Sequence, residues 1–244
     1  MPKFFLPSTS GTVGETVCFT PEDAWHIARV LRLTPGTEIL AGDGRGYAYR
    51  VLLRTVTPQL VTGEILAKEE EGSEPALKIH LYQSLLKGEK MDWVLQKGTE
   101  VGIFSFQPFL SSRSVARPEL TQAGKKQERW SRIALEAAKQ SGRGIIPAVH
   151  PLATMETLPW PAGVPVLVAW EGVEEKNLRQ VLAAIPKPAE LILVVGPEGG
   201  FSREEVAFFT DHGAIPVSLG PRILRAETAG PVTAALILYH YGEI

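Results

Sequence analysis

Gly196-Pro197-Glu198-Gly199-Gly200 is the stretch of this 244-residue chain whose residue types point most directly to a site. Its glycines take up backbone conformations closed to other residues and let a ligand lie against the main chain, while Pro197 stiffens the bend. The chemistry on offer is recognition through backbone groups, and a tight strand-to-helix turn with no ligand is the alternative. A second stretch runs from Ser111 to Arg143, where Arg113, Arg117, Lys125, Lys126, Arg129, Arg132, Lys139 and Arg143 face only Glu119, Glu128 and Glu136. That excess suits phosphate contact or a solvated helix face. Other chemistries are disfavoured. Cys18 is the only cysteine and the histidines at 26, 80, 150, 212 and 240 are scattered, so no metal is expected. The absence of a Gly-x-x-x-x-Gly-Lys-[Ser/Thr] run speaks against an NTPase.

The glycine turn needs a scaffold, and its flanks supply one. Leu191 to Val195 is apolar without alternation, as in a parallel-sheet strand buried on both faces. Beyond the turn, Ser202 suits an N-cap, Glu205 completes a capping box, and Phe201 with Val206 has the spacing of a hydrophobic staple. Strand, turn and capped helix form the ligand-binding corner of an α/β sheet. Val166 to Trp170 and Ile215 to Leu219 read as further strands, the latter leading into Gly220-Pro221-Arg222-Ile223-Leu224-Arg225-Ala226-Glu227-Thr228-Ala229.

The chain divides into two parts. From Lys3 to about Leu66, short strands alternate with turns, interrupted by one helix that Thr20 caps and Pro21 opens, with Ala24, Ile27, Ala28 and Leu31 at helical spacing. Thr37–Ala41 and Tyr47–Leu53 read as a hairpin around Gly42–Gly46, and no helix follows that loop as a nucleotide site would require. The charged, anchorless run Lys68–Pro75 marks a boundary, giving domains 1–72 and 73–244. Beyond it, strands and helices alternate, with helices expected through Met91–Val101, Lys125–Gln140, Thr154–Leu158, Glu174–Ala184 and, with Pro231 in its first turn, Val232–Tyr241. Hydrophobic residues make up 44% of the chain, enough for a sizeable core, and the net charge of −2 argues mildly against nucleic-acid binding taken globally. No signal-peptide pattern or spanning apolar run occurs, so a cytoplasmic protein without membrane attachment is expected.

The two ordered motifs GPEGGFS and ILRAETA resemble the SPOUT class of S-adenosylmethionine-dependent RNA methyltransferases, and within it the RsmE family, which methylates N3 of a uridine in 16S ribosomal RNA. The similarity extends upstream. His26-Ile27-Ala28-Arg29-Val30-Leu31-Arg32 resembles a signature of that family's PUA-like N-terminal barrel. Gln96-Lys97-Gly98-Thr99-Glu100-Val101-Gly102 is similar to a family helix except that Gly98 replaces alanine, and Glu136 to Arg143 is similar to a family E-A-A-x-Q-S-G-R segment. Gly230-Pro231 departs from the family, whose members continue the E-T-A segment as helix.

The resemblance implies an α/β SPOUT domain with a trefoil-knotted parallel sheet behind a small PUA-like β-barrel, a homodimer, and the small ribosomal subunit as partner. It implies S-adenosyl-L-methionine held by Val168, Ala169, Trp170 and Glu171, by Gly196, Pro197, Glu198, Gly199 and Gly200, and by Leu219, Gly220, Arg222, Ile223, Leu224, Thr228 and Ala229. Arg225 is the expected stabiliser of negative charge on the uracil oxygens, with Glu227 or Glu198 as proton acceptor. Arg29, Arg32, Arg113, Gln140 and Arg143 are the expected RNA contacts, with helix capping the alternative for Gln140. Ribose 2′-O-methylation and a non-catalytic RNA-binding or ribosome-assembly role are the competing functions.

Overall fold

Alternating apolar side chains build the first part of the chain and continuous apolar runs the second. The computed structural model describes residues 3–114, 120–173 and 176–244, so Arg117, Glu119 and the expected helix start at Glu174 lie outside the described residues. The chain forms two units, one of residues up to Glu74 together with 138–146, the other of 75–137 and 147–244.

In the first unit, β1 (Phe4–Phe5), β2 (Thr16–Cys18), β3 (Glu38–Gly42), β4 (Tyr47–Val56) and β5 (Val61–Glu70) form one sheet in the order β1-β3-β4-β5-β2. All pairs are antiparallel except β1 with β3. Tyr49, Val51 and Leu53 point alternately inward from β4 to meet Phe4, Val17, Ile39 and Ile65. Register shifts at Arg50/Val51 and Leu53/Thr55 bend the long β4–β5 ribbon, as bulges do. Helix α1 (Pro21–Trp25) begins as expected, with Thr20 Oγ1 accepting from the Asp23 N–H. It then widens into a π-helical turn, His26–Val30, and the chain leaves it through Arg32 at φ 52°, a left-handed conformation costly for a non-glycine residue.

The expected boundary at 72/73 moves in two ways. Glu71 pairs with Lys3, and Glu74 accepts from the Arg143 guanidinium (Nη2–Oε2 2.6 Å) and from the backbone of Gly144 and Ile145. The charged run is thus tied down by partners remote in sequence, and residues 138–146 return to the first unit.

In the second unit, β6 (Lys78–Ser84), β7 (Ser105–Leu110), β8 (Ala148–Val149), β9 (Ala153–Thr154), β10 (Val166–Ala169), β11 (Glu190–Val195) and β12 (Ile215–Val217) form a wholly parallel sheet. The order is β12-β10-β11-β6-β7-β8, with β9 also on β7. Strand β11 is buried on both faces: Leu191, Leu193 and Val195 enter one apolar cluster, Ile192 and Val194 the other. Connecting helices are α2 (Lys90–Val101), α3 (Leu120–Ser141), α4 (Leu178–Ala184), α5 (Arg203–Asp211) and α6 (Ala226–His240). Ser202 and Glu205 form the expected capping box of α5, and both residues of the expected staple, Phe201 and Val206, are buried. The helix expected at Thr154–Leu158 is only a 3₁₀ turn, Met155–Thr157, and α4 starts later than expected, at an Asn177 cap.

Two glycines explain departures from the family pattern. A Cβ on Gly98 would come 2.8 Å from Ile103 Cδ1 and Phe106 Cε1, so α2 lies hard against β7. A Cβ on Gly230 would come 3.0 Å from Leu81 Cδ2, so α6 lies equally close on β6. Contrary to the expected start at Val232, α6 begins at Ala226 and passes through Pro231. Burial of Ala229, Ala234, Ile237 and Leu238 in the core offsets the roughly 3 kcal/mol that an internal proline costs.

Candidate active site

Because β12, β10, β11 and β6 are parallel neighbours, the loops that follow them leave the same edge of the sheet. The chain from β6 goes to β7 on one side, and the chain from β11 goes to β12 on the other. The crevice between β6 and β11 is therefore a topological switch point, where open α/β sheets bind ligands. The glycine turn stands over it. Buried Gln83, at the end of β6, donates Nε2–H to the Gly196 carbonyl (3.2 Å).

Glu198 is held from the β6 side of this crevice. Its Oε1 accepts from the Lys87 backbone N–H (3.2 Å) and from Lys90 Nζ (3.0 Å). Burial alone would raise the Glu198 pKa, but its own backbone N–H, the Lys90 ammonium and the Lys87 N–H outweigh that, holding the carboxyl below the ordinary carboxylate range. Arg113 reaches the same turn, donating Nη1–H to the Gly199 carbonyl (3.0 Å). A Cβ on Gly200 would come 3.0 Å from Glu171 Oε1, which brings the β10 loop against the glycine turn.

The β12 loop completes the site. The Trp170 N–H bonds the Val217 carbonyl, and Leu178 N–H bonds the Ser218 carbonyl, so the β10 and β12 loops run together. Val168 is fully buried and Ala169 half-buried, which leaves the loop backbone as their means of contact. Leu219 and Leu224 pack half-buried against the core, whereas Ile223 stands 82% exposed and Arg222 and Gly220 are exposed. Arg225 is the N-cap residue of α6 with an exposed side chain that makes no capping bond. Glu227, Thr228 and Ala229 lie in the first turn. Glu227 Oε2 is buried, accepts no hydrogen bond from the described residues, and lies 3.9 Å from Lys90 Nζ. A buried carboxylate oxygen without a donor is costly, and a bound molecule carrying N–H groups or positive charge would satisfy it. Sequence reasoning passed over Lys90. The available signal was a lysine at the first position of a helix, where the helix dipole disfavours a cation.

The expected RNA contacts divide. Arg29 and Arg32 are exposed on the π-helical turn and its exit, beside Trp25, which is 54% exposed. Gln140 is exposed in the last turn of α3, and the helix end is capped by backbone, the Arg143 N–H donating to the Ala138 carbonyl past Gly142 (φ 75°). Arg143 is different: its side chain is 5% exposed and engaged by Glu74, so it serves the fold of the first unit rather than presenting a charge to RNA. The basic run is further depleted by Arg129 pairing with Asp92 and Lys139 with Asp23. Lys125 and Arg132 remain on exposed positions.

A second cavity of about 370 Å³, lined by His80, Tyr82, Trp160 and Glu190, opens near the amino ends of β6 and β11. Its polar groups are already engaged: His80 bonds Ser105 and Glu190, and Tyr82 donates to the Pro159 carbonyl. Among the described residues no cluster of metal-ligating side chains occurs, and no helix is long and apolar enough to cross a membrane.

The chain is similar to known proteins over most of its length. A family described as RNA methyltransferase domain matches residues 73–238, and one described as RNA methyltransferase PUA domain matches residues 19–66. The chain is 33% identical over 247 residues to the ribosomal RNA small subunit methyltransferase E of Bacillus subtilis, covering 98% of this chain and 96% of that protein. It is 32% identical to the protein of the same name from Mycobacterium bovis, over 96% of this chain and 90% of the other. The crystal structure of ribosomal RNA small subunit methyltransferase E from Neisseria gonorrhoeae bound to S-adenosyl methionine superposes with a TM-score of 0.85 at 32% identity, covering 98% of this chain and 97% of that one.

Proposed function

Because the chain belongs to the RNA methyltransferase family that includes ribosomal RNA small subunit methyltransferase E, we propose that it methylates N3 of a uridine in 16S ribosomal RNA from S-adenosylmethionine. The observation that carries this reading is the gathering of the loops after β10, β11 and β12 at the switch point, with Lys90 lying between Glu198 of the glycine turn and Glu227 of α6, two residues on from the exposed Arg225. The residues present fit the cofactor. Glu171, Glu198 and Glu227 suit a ligand with a sulfonium and an ammonium group, while Leu219 and Leu224 offer apolar surface to its adenine. The backbones of 168–171, 196–200 and 219–224, with Thr228 and Ala229, would hold it. When bound, S-adenosylmethionine supplies an electrophilic methyl group.

The protein's own tasks are to expose the uracil, take the N3 proton and steady the resulting charge. Glu227 is the better placed acceptor. Its Oε2 has no competing donor among the described residues, whereas Glu198 is occupied by Lys87 and Lys90 and held in a weakly basic state. Arg225, free of any capping duty for its side chain, would face the uracil carbonyl oxygens as negative charge develops on them. Arg29, Arg32, Arg113 and Gln140 would contact RNA, and Arg143 drops out of that set.

The family resemblance also motivates a cytoplasmic homodimer and a trefoil-knotted C-terminal passage. Val232, Leu236 and Tyr239 expose apolar area along one face of α6, and Trp93 is exposed on α2, which packs on α6, as an isologous interface would use. The test is incubation with radiolabelled S-adenosylmethionine and undermethylated small subunits, beside naked 16S RNA, followed by nucleoside analysis. Label in 3-methyluridine is expected. Label in a ribose would replace this reading with 2′-O-methylation, and no label despite cofactor binding would leave a non-catalytic RNA-binding protein.

A further inference from the structure

Lys90 opens α2 where the helix dipole repels it, and the Glu89 cap offers no side-chain bond in return. A residue placed against a local rule needs a tertiary reason. The reason on hand is its position at the switch point. Its ammonium donates to Glu198 on the glycine turn after β11 and stands 3.9 Å from Glu227 in the first turn of α6. One flexible cation from the β6 side thus joins the two segments that carry the site's acids.

The two acids are treated unequally. Glu198 Oε1 receives two donors from this side, whereas Glu227 Oε2 receives none, because 3.9 Å is beyond a hydrogen bond. Without the lysine charge, Glu198 and Glu227 would lose the cation that lies between them and be left as like charges. We propose that Lys90 is a positioning residue that fixes Glu198 as a strut of the glycine turn and keeps Glu227 in place with Oε2 uncommitted to any donor among the described residues. This rests on the methyltransferase reading and assigns the arrangement of its donor-binding loops to a residue outside both signature motifs.

The experiment compares wild type, Lys90→Met and Lys90→Arg by calorimetric titration with S-adenosylmethionine, and by kcat and KM for small-subunit RNA at saturating donor. Lys90→Met is expected to weaken donor binding about tenfold or more and to lower kcat, with KM for RNA unchanged. Lys90→Arg, which keeps the charge, is expected to restore most of both. Lys90 is partly exposed, so both variants should melt near the wild-type temperature; if Lys90→Met does not, Glu198→Gln probes the same strut and should weaken donor binding similarly. Wild-type donor affinity in folded Lys90→Met, or loss in Lys90→Arg equal to that in Lys90→Met, overturns the assignment. Failure of the wild type itself to bind the donor overturns the methyltransferase reading instead.

Discussion

Glu205 serves two segments with one carboxylate: Oε2 accepts from the Ser202 N–H to close the capping box of α5, and Oε1 accepts from the Ser112 N–H at 2.7 Å. The second bond pins the Ser111–Ser114 loop beside the glycine turn, where Arg113 reaches the Gly199 carbonyl. Glu205→Ala should therefore destabilise the protein by about 1–2 kcal/mol through the lost cap and the unpaired amide. Amide exchange should show faster opening at Ser112 than at other sheet-edge loops.

Arg225 should matter to rate and not to fold. Its side chain caps nothing, so Arg225→Ala should leave the melting temperature and S-adenosylmethionine binding close to wild type. A fall in kcat of about 10²–10³-fold is expected, the usual cost of removing one stabiliser of developing charge. Intact turnover would exclude the arginine from the chemistry.

The two acids should separate. Glu227→Gln should lower kcat by about 10²–10⁴-fold, as loss of a proton acceptor does, while Glu198→Gln should act mainly on donor affinity. Glu198 has a depressed pKa in the folded protein, so its stabilising ion pair is complete above the unfolded carboxyl range and is lost only as pH falls through the lower folded value. Titrating the Glu198 carboxyl by NMR in wild type and Lys90→Met checks the direction.

Arg143 should report as a structural residue. Arg143→Ala leaves Glu74 as an uncompensated, largely buried charge, for which a loss of about 3–5 kcal/mol is expected. Thermal unfolding should show it, together with faster exchange at the Gly144 and Ile145 amides that Glu74 holds.

Gly98→Ala sets helix propensity against packing. Alanine would gain up to about 1 kcal/mol as a helix former, but overpacking against Ile103 and Phe106 costs about 1–3 kcal/mol. A lower urea midpoint than wild type is expected, although the replacement restores the residue that the family pattern carries.

Local chemistry was legible in the sequence where a feature depends on neighbours within a few residues. The Ser202–Glu205 capping box, the Thr20 cap, the β3–β4 hairpin and the two-sided burial of Leu191–Val195 all follow from short-range spacing. The loops after β11 and β12 were legible as loops for the same reason, since glycine turns at strand ends mark themselves. Tertiary structure alone decided the rest. Pro231 argued for a late start to α6, and only the close seat of Gly230 on β6 shows why the helix runs through it. Arg143 looked like an RNA contact until folding brought Glu74 to it from 69 residues away. Lys90 carried no motif, and its meaning arises from a partner 108 residues distant. Hydrogen bonds and ion pairs act over a few ångströms of space, and sequence spacing records that proximity only within a turn, a helix or a hairpin.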